Sequence, residues 1–299
     1  MTKINLRLIE PIVIIVAVLI FGWATYQRNF VWKNDLSLWS DVVKKSPEKS
    51  RGHNNLGTAY LTKGQYTLAM AEYKKALGLN PREYYIHSNL GRLYQAKGLI
   101  DLAMSEYMEE LRLRPNAARV ISNLGTCYSE KGLWDIAIFY HRKALSIMPD
   151  DPIIRSNLGN TYIKTGLFDA AIHEYEIALR LDPGNGSLHY NIAVIYEKKG
   201  MFDKAVIAYR KTLTIEPDNL EALDNLGNIY LKTGHIDMAI ERYREAITIK
   251  PDFPWAHWNL GIAYETKGMV KEAIQEYERY LSLRPDDPEA MAKIKRLQK

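Results

Sequence analysis

The stretch NLGTAYLTKGQYTLAMAEYKKALGLNP, residues 55–81, decides the fold because its landmarks return every 34 residues along the chain. The proline that closes the stretch belongs to one such series: Pro47, Pro81, Pro115, Pro149, Pro183, Pro217, Pro251 and Pro285. The asparagine that opens it belongs to another: Asn55, Asn89, Asn123, Asn157, Asn191, Asn225 and Asn259. Only a repeated structural unit holds such a register over this length. The period predicts seven full units over residues 50–285.

Each unit reads as two helices joined by a tight turn. Gly64 and its equivalents sit where a helix C-cap needs a left-handed residue, and the proline ends the second helix. Ala69 marks a close approach between the two helices, and Tyr73 fills the space one turn later. A single helical pair cannot bury its apolar face, so the units must stack on one another. The sequence therefore predicts an all-α fold.

The recurring residues resemble the tetratricopeptide repeat. In the first unit the matching series is Leu56, Gly57, Tyr60, Gly64, Ala69, Tyr73, Ala76 and Pro81. The resemblance implies a right-handed superhelix, an α-solenoid whose first helices line a concave groove and whose second helices form the convex back. Departures are local: Ala193 replaces the usual glycine, His141 the second-helix tyrosine, and Glu110 and Thr212 the second small residue.

Composition fits a globular protein and excludes several function classes. Of the 299 residues, 47% are apolar and 25% charged. The net charge of +5 is small and scattered, which argues against a nucleic-acid partner. With one cysteine, Cys127, the chain has no internal disulfide. No nucleophile elbow, phosphate loop, HExxH or CxxC interrupts the repeats, so we expect no catalytic residues, no cofactor and no metal.

The N-terminal segment is predicted to anchor the chain in a membrane. Residues 8–27 carry one charge, Glu10, and twenty helical residues span about 30 Å, the thickness of the hydrocarbon core. We therefore expect a cytoplasmic tail and transmembrane helix over residues 1–29. A cleaved signal peptide, with Lys3 and Arg7 as its positive end, is the alternative. Basic residues on both flanks leave the orientation open, while the short basic tail favours a repeat body in the periplasm or lumen.

Two further segments flank the repeats. Residues 30–49 are predicted to form a pre-repeat helix that imitates half a unit, since Tyr26, Trp39 and Pro47 keep the register of the repeats. This register suggests a rigid junction between the anchor and the repeats. Residues 286–299 are predicted to form a C-terminal capping helix.

Helical geometry predicts which residues face the groove. At 100° per residue, Trp255, Trp258 and Ile262 lie on the same side as Asn259, opposite the positions that pack between helices. Tyr190 and Val194 share this side in an earlier unit. The alternative is that the two tryptophans pack against the capping helix or a neighbouring repeat. In the first units this side carries residues suited to acidic groups or backbone carbonyls: Arg51, Tyr85, Arg92 and Arg119.

The seven repeating asparagines are the strongest binding candidates, because an amide both donates to and accepts from an extended backbone regardless of its side chains. Their spacing is similar to the asparagine ladder of O-linked N-acetylglucosamine transferases, which implies contact with substrate polypeptide. The alternative is that each amide bonds to a neighbouring helix and stiffens the stack.

The sequence thus favours a membrane-anchored adaptor, not an enzyme, that binds an extended polypeptide or a partner protein in its groove. Residues 25–47 also resemble the junction before the repeats in membrane O-mannosyltransferases of the transmembrane and tetratricopeptide type. That resemblance implies an alternative, a substrate-presenting subunit of a membrane glycosyltransferase or envelope assembly machine. A structural subunit of a larger membrane complex is a further alternative.

Overall fold

The structure is a computed structural model that describes residues 14–23, 25–26 and 32–298. Residues 50–283 form seven helical pairs, and we name the two helices of each repeat A and B. The A helices are Ser50–Thr62, Ile86–Ala96, Ala118–Glu130, Pro152–Lys164, Gly186–Lys198, Leu220–Lys232 and Pro254–Thr266. The B helices are Tyr66–Leu79, Ile100–Leu113, Trp134–Ile147, Phe168–Leu181, Phe202–Ile215, Ile236–Ile249 and Val270–Leu283. The predicted all-α fold is confirmed over the described residues, which contain no strand.

The turn from helix A to helix B depends on glycine. Gly64 has φ of +70°, the left-handed region that a side chain disfavours. In that conformation its N–H donates to the Leu61 carbonyl, and the next N–H, of Gln65, reaches back to Tyr60. These bonds satisfy carbonyls that the end of helix A leaves without an intrahelical partner. Glycines with positive φ occupy the same place in all seven repeats.

Helices A and B of one repeat approach closely through small residues. Ala69, Tyr73 and Ala76 of the first B helix are completely buried. A Cβ at Gly57 of the facing A helix would lie 2.7 Å from Tyr73 Cε1, so any side chain there would displace the ring. The alternation of glycine, alanine and tyrosine seen in the sequence is therefore the packing contact of the helical pair.

The chain divides into two compact units, residues 1–147 and 148–299. Unit 1 contains repeats 1–3, and unit 2 contains repeats 4–7. Inside each unit, helix B of one repeat packs on helix A of the next. In unit 1, for example, Ala69 and Tyr73 form one core with Ile86 and Leu90 of the second repeat.

Short helices precede and follow the repeats. Asp35–Lys45 begins at Asn34, whose side chain accepts the Ser37 N–H in a capping box. Its Val42 and Val43 lie against Gly52 of the first A helix. At the other end Pro288–Leu297 begins at Asp287, whose carboxylate accepts two backbone N–H groups and the Tyr280 hydroxyl.

The predicted membrane span is only partly described. Residues 14–23 and 25–26 are helical, whereas residues 8–13, 24 and 27 of the span lie outside the described residues. Within the described part of the chain, no helix combines the length and the apolar composition that crossing a bilayer requires. The transmembrane helix therefore stays a prediction.

Candidate protein-binding surface

The A-helix face is the side of each A helix that carries the repeating asparagine. All seven asparagines are half-buried. Asn89 Nδ2 donates to Asn54 Oδ1 at 3.0 Å, and Asn259 Nδ2 donates to Asp224 Oδ1 at 2.7 Å. In both bonds the acceptor lies 35 residues earlier, on the A helix of the preceding repeat. These amides link successive A helices within a unit.

The same amides also reach the buried tyrosines of the preceding B helix. Burial raises the pKa of Tyr175, and a hydrogen bond with Asn191 opposes that rise. Asn225 makes the same contact with Tyr209, and its Nδ2 donates to the Tyr190 hydroxyl at 3.1 Å. These amides therefore bond to neighbouring helices, which is the structural role given as the alternative to ligand binding. Because an amide offers two N–H donors and an acceptor, and each of these side chains is only half-buried, their predicted contact with a ligand stays open as well.

In unit 1 the A-helix face is basic. Arg51, Arg92 and Arg119 are all exposed, and the Arg92 charge lies close enough to Tyr73 and Tyr107 to oppose the rise in their pKa values that burial causes. Among the described residues of the three A helices, the only carboxylate is Glu130, at the end of the third. This face suits acidic groups or backbone carbonyls, as the sequence indicated.

Tyr85 differs from the other predicted groove residues because it lies before its A helix, in the left-handed region with φ of +74°. A buried carboxylate holds it there: Tyr85 N–H donates to Glu110 at 3.1 Å, and Arg114 pairs with the same carboxylate at 3.2 Å. The Arg114 guanidinium also lies 4.3 Å from the centre of the Tyr85 ring. The replacement of a small residue by Glu110 therefore supplies an N-terminal cap for the second A helix. The repeat pattern marks Glu110 as a departure but does not reveal this role.

In unit 2 the A-helix face is more apolar and carries carboxylates. Tyr190, Val194 and Ile262 are half-buried, and the Tyr190 ring packs 5.7 Å from Tyr209. Desolvation raises the pKa of Asp224, while hydrogen bonds from Asn259 and Asn228 oppose the rise. The A-helix faces of the two units therefore differ in charge and polarity.

The two predicted groove tryptophans pack against their own repeat. The Trp258 ring lies 5.3 Å from Tyr277 and 5.1 Å from Tyr280, and Lys293 of the terminal helix lies 5.6 Å from its centre. Trp255 lies 6.1 Å from Tyr280 and keeps 46% of its surface exposed. The helical geometry itself holds, since His257, Leu260, Gly261 and Tyr264 on the opposite side are buried. Local packing was the alternative in the sequence analysis; the role of either ring in binding stays a prediction.

Tyr280 is the residue that sequence analysis missed at this site. It occupies the place where the first repeat has the small Ala76. The larger ring packs against both tryptophans. Lys293 stands 34 residues after Asn259, in the place of the repeating asparagine, and donates to Glu265 at 3.1 Å. The terminal helix therefore packs against the A helix of the seventh repeat through Glu265.

Three of the histidines that share one repeat position, His53, His87 and His257, contact carboxylates within their own repeats. His53 Nδ1 lies 2.5 Å from Glu72 and its Nε2 lies 2.8 Å from the Pro47 carbonyl. His257 repeats this arrangement with Glu276 and Pro251. Among the residues that the structure describes, no three histidine, cysteine, aspartate or glutamate side chains form a group that could hold a metal ion. The arrangement ties the A helix to the B helix and to the preceding loop.

Several family models match the repeats of this sequence, and all of them describe the same repeat. Models described as TPR repeat or tetratricopeptide repeat match residues 57–98, 84–116, 156–219, 208–241, 227–268 and 254–287. The chain is a tetratricopeptide-repeat protein. Repeats of this family serve protein–protein interaction, and the chain is a scaffold of that kind. A search of curated proteins gives no match.

Solved tetratricopeptide-repeat structures share the fold. A chain of the APC/C hetero-tetramer Cut9–Hcn1 has a TM-score of 0.65 at 15% identity and covers 88% of this chain. This chain spans about half, 52%, of that protein. The Pseudomonas aeruginosa pilF protein has a TM-score of 0.58 at 22% identity, over 68% of this chain and 92% of its own. MamA has a TM-score of 0.52 at 28% identity, over 56% of this chain and 92% of its own. The first two likenesses, below 25% identity, show the fold alone.

Proposed function

We propose that this protein is a membrane-anchored adaptor that binds an extended polypeptide, or an extended part of a partner protein, along the A-helix faces of its repeats. The repeats provide the binding surface, and residues 8–27 hold it at the membrane. We place the repeat body outside the cytoplasm, in the periplasm or a lumen, because a short basic tail precedes the apolar run.

The observation that carries the proposal is an amide presented once per repeat in a fixed orientation. The bonds from Asn89 to Asn54 and from Asn259 to Asp224 hold these side chains in place while part of each stays at the surface. A side chain that is already ordered loses little conformational freedom on binding. An amide can also pair with the backbone of an extended chain whatever the side chains of that chain are.

The residues around the amides indicate the chemical character of the proposed ligand. The arginines of unit 1 favour acidic groups or backbone carbonyls, whereas Tyr190, Val194 and Ile262 of unit 2 favour apolar side chains. Each unit therefore offers a ligand a surface of its own chemistry.

The second candidate is a substrate-presenting subunit of a membrane glycosyltransferase or envelope assembly machine. It is favoured by the likeness of residues 25–47 to the junction that precedes the repeats in membrane O-mannosyltransferases. Here the repeats would hold the acceptor polypeptide for a separate catalytic membrane protein. A structural subunit of a larger membrane complex is the third candidate.

Co-purification from native membranes tests these candidates. The full chain would be compared with the double variant Asn225→Ala, Asn259→Ala, and with the control Asn219→Ala. Asn219 caps the A helix of repeat 6 through the Ala222 N–H and lies before the A-helix face. Each substitution removes about 1 kcal/mol of hydrogen-bonding or capping energy, so the control reports the effect of lost stability alone.

The adaptor predicts that varied polypeptides co-purify with the full chain and the control, and that the double variant loses them. Glycosyltransferase activity in the purified fraction supports the second candidate. A single stable complex that survives the double variant supports the third and contradicts binding through the asparagines.

A further inference from the structure

The B helices of the first three repeats expose large apolar side chains at one recurring position. Leu68, Leu102 and Ile136 occupy this position, 34 residues apart, and all three are exposed. Phe139, one helical turn after Ile136, keeps 61% of its surface exposed. We call Leu68, Leu102 and Ile136 the apolar stripe.

The apolar stripe ends with the third repeat. In repeats 4–7 the position of Leu68 is filled by Ala170, Lys204, Met238 and Glu272. None of these is an exposed large apolar side chain. The fold therefore does not require such a residue at this position, since four repeats form without one.

The packing of the repeats also leaves the apolar stripe unused. The next residue along each helix, Ala69, Ala103 or Ala137, is completely buried against the A helix. The stripe residue lies about 100° further round the helix and points to solvent. Exposed apolar surfaces that recur in this way mark contacts with a partner or a membrane.

We infer that the apolar stripe lies on the lipid headgroup and upper acyl region of the membrane in which the chain is anchored. This inference rests on the membrane anchor of the proposed function. The span of residues 8–27 ends seven residues before helix Asp35–Lys45, and seven extended residues reach at most about 24 Å. The short connection keeps the first repeats close to the bilayer surface, and these are the repeats that carry the stripe.

Lysines lie at the turns that lead into the helices of the apolar stripe. Lys63 and Lys97 are exposed at the ends of the A helices, beside the turns that lead into the striped helices. Lys131 holds the same place in repeat 3 and pairs with Asp101 at 2.6 Å. Lysines close to an exposed apolar surface favour anionic headgroups. This combination fits a lipid surface better than the apolar core of a protein interface, where lysine is depleted.

Position-specific lipid quenching tests the inference on the full chain. The protein would be reconstituted in vesicles of phosphatidylethanolamine and phosphatidylglycerol, with or without nitroxide-labelled lipid. A fluorophore would be attached at Leu102→Cys or, as the matched control, at Lys204→Cys, the same repeat position outside the stripe. The native Cys127 does not compete for the label, because it is fully buried and burial raises the pKa of its thiol to about 12.

The inference predicts strong quenching of the probe at residue 102 and little quenching at residue 204. Adding Leu68→Glu and Ile136→Glu should reduce the quenching at residue 102 while the protein still floats with the vesicles. Equal quenching at the two positions overturns the lipid contact but leaves the anchor intact. Protection of residue 102 that rises with protein concentration, without lipid quenching, assigns the stripe to a second copy instead. A chain that does not float with the vesicles refutes the anchor, and this inference with it.

Discussion

Replacing His141 with tyrosine should stabilise the third repeat and remove part of its sensitivity to acid. His141 is completely buried where the other six repeats have a buried tyrosine. Its Nδ1 lies 3.0 Å from Ser122 Oγ, while its Nε2 has no hydrogen-bond partner. A buried polar atom without a partner costs roughly 1–3 kcal/mol of folding stability.

The pH dependence follows from the lowered pKa of His141. Desolvation lowers this pKa from 6.5 to about 4. Between these values the unfolded chain binds a proton that the folded chain does not, so the free energy of unfolding falls as the pH drops from 6.5 towards 4. At 1.36 kcal/mol per pH unit the loss amounts to about 3 kcal/mol, complete near pH 4.

Tyrosine fits the site because its surroundings are those of the other repeats. Gly125 faces His141 as Gly91 faces Tyr107, so the space for a larger ring is kept. Thr126 stands at the repeat position of Thr58, whose hydroxyl lies 3.2 Å from that of Tyr73. His141→Tyr therefore exchanges an unpartnered nitrogen for a hydroxyl with a partner within reach.

Hydrogen exchange measures this effect locally, which matters because repeat arrays do not always unfold in one step. The amides of helix Ala118–Glu130 would be followed at pH 7.5 and pH 5 in the full chain, in His141→Tyr and in the control His173→Tyr. His173 is exposed on the B helix of repeat 4, so its replacement should leave the protection of these amides unchanged at both pH values. We expect more protection in His141→Tyr, with a larger advantage at pH 5 than at pH 7.5. An advantage that does not change with pH would refute the reasoning from the lowered pKa.

Two further predictions concern packing at the asparagine-bearing helices. Trp258→Ala should lower the free energy of unfolding of the last repeats by about 2 kcal/mol, since the ring is half-buried against two tyrosines, whereas the more exposed Trp255→Ala should cost clearly less. Thermal unfolding followed by circular dichroism checks this, and equal costs would contradict the assigned packing. Gly57→Ala should lower the free energy of unfolding by roughly 1–3 kcal/mol, because its Cβ would meet the Tyr73 ring. Gly78→Ala should raise the free energy of unfolding by about 0.5–1 kcal/mol, because Gly78 lies in a helix with open space around it. Urea unfolding of the two variants gives both values, and a tolerated Gly57→Ala would show that the helices are less tightly packed than described.

The fold could be predicted because every repeat restates the same constraints. Glycine in the A–B turn, small residues at the close approach and a tyrosine beside them recur at one interval, so a single sequence contains seven versions of one structure. The recurring buried residues of the A helix also identify its opposite side, which carries Asn259.

Residues that depart from the repeat were harder to predict. Tyr280 and Glu110 both replace a small residue, yet one packs under tryptophans and the other caps a helix through the Tyr85 N–H. Helical geometry gives the side of the helix on which Trp258 lies. It does not give the size of the side chain, here Tyr280, that packs against it from the next helix. Such contacts depend on the pair of side chains present, which the period does not specify.

Photo-crosslinking in native membranes tests most directly whether the A-helix face is the binding surface. Benzoylphenylalanine would replace Ile262, on the A-helix face of repeat 7, or Ile207, an exposed isoleucine on the B helix of repeat 5. The account predicts that the probe at residue 262 captures polypeptide and that the probe at residue 207 does not. Capture at residue 207 alone, or equal capture at both positions, would contradict it.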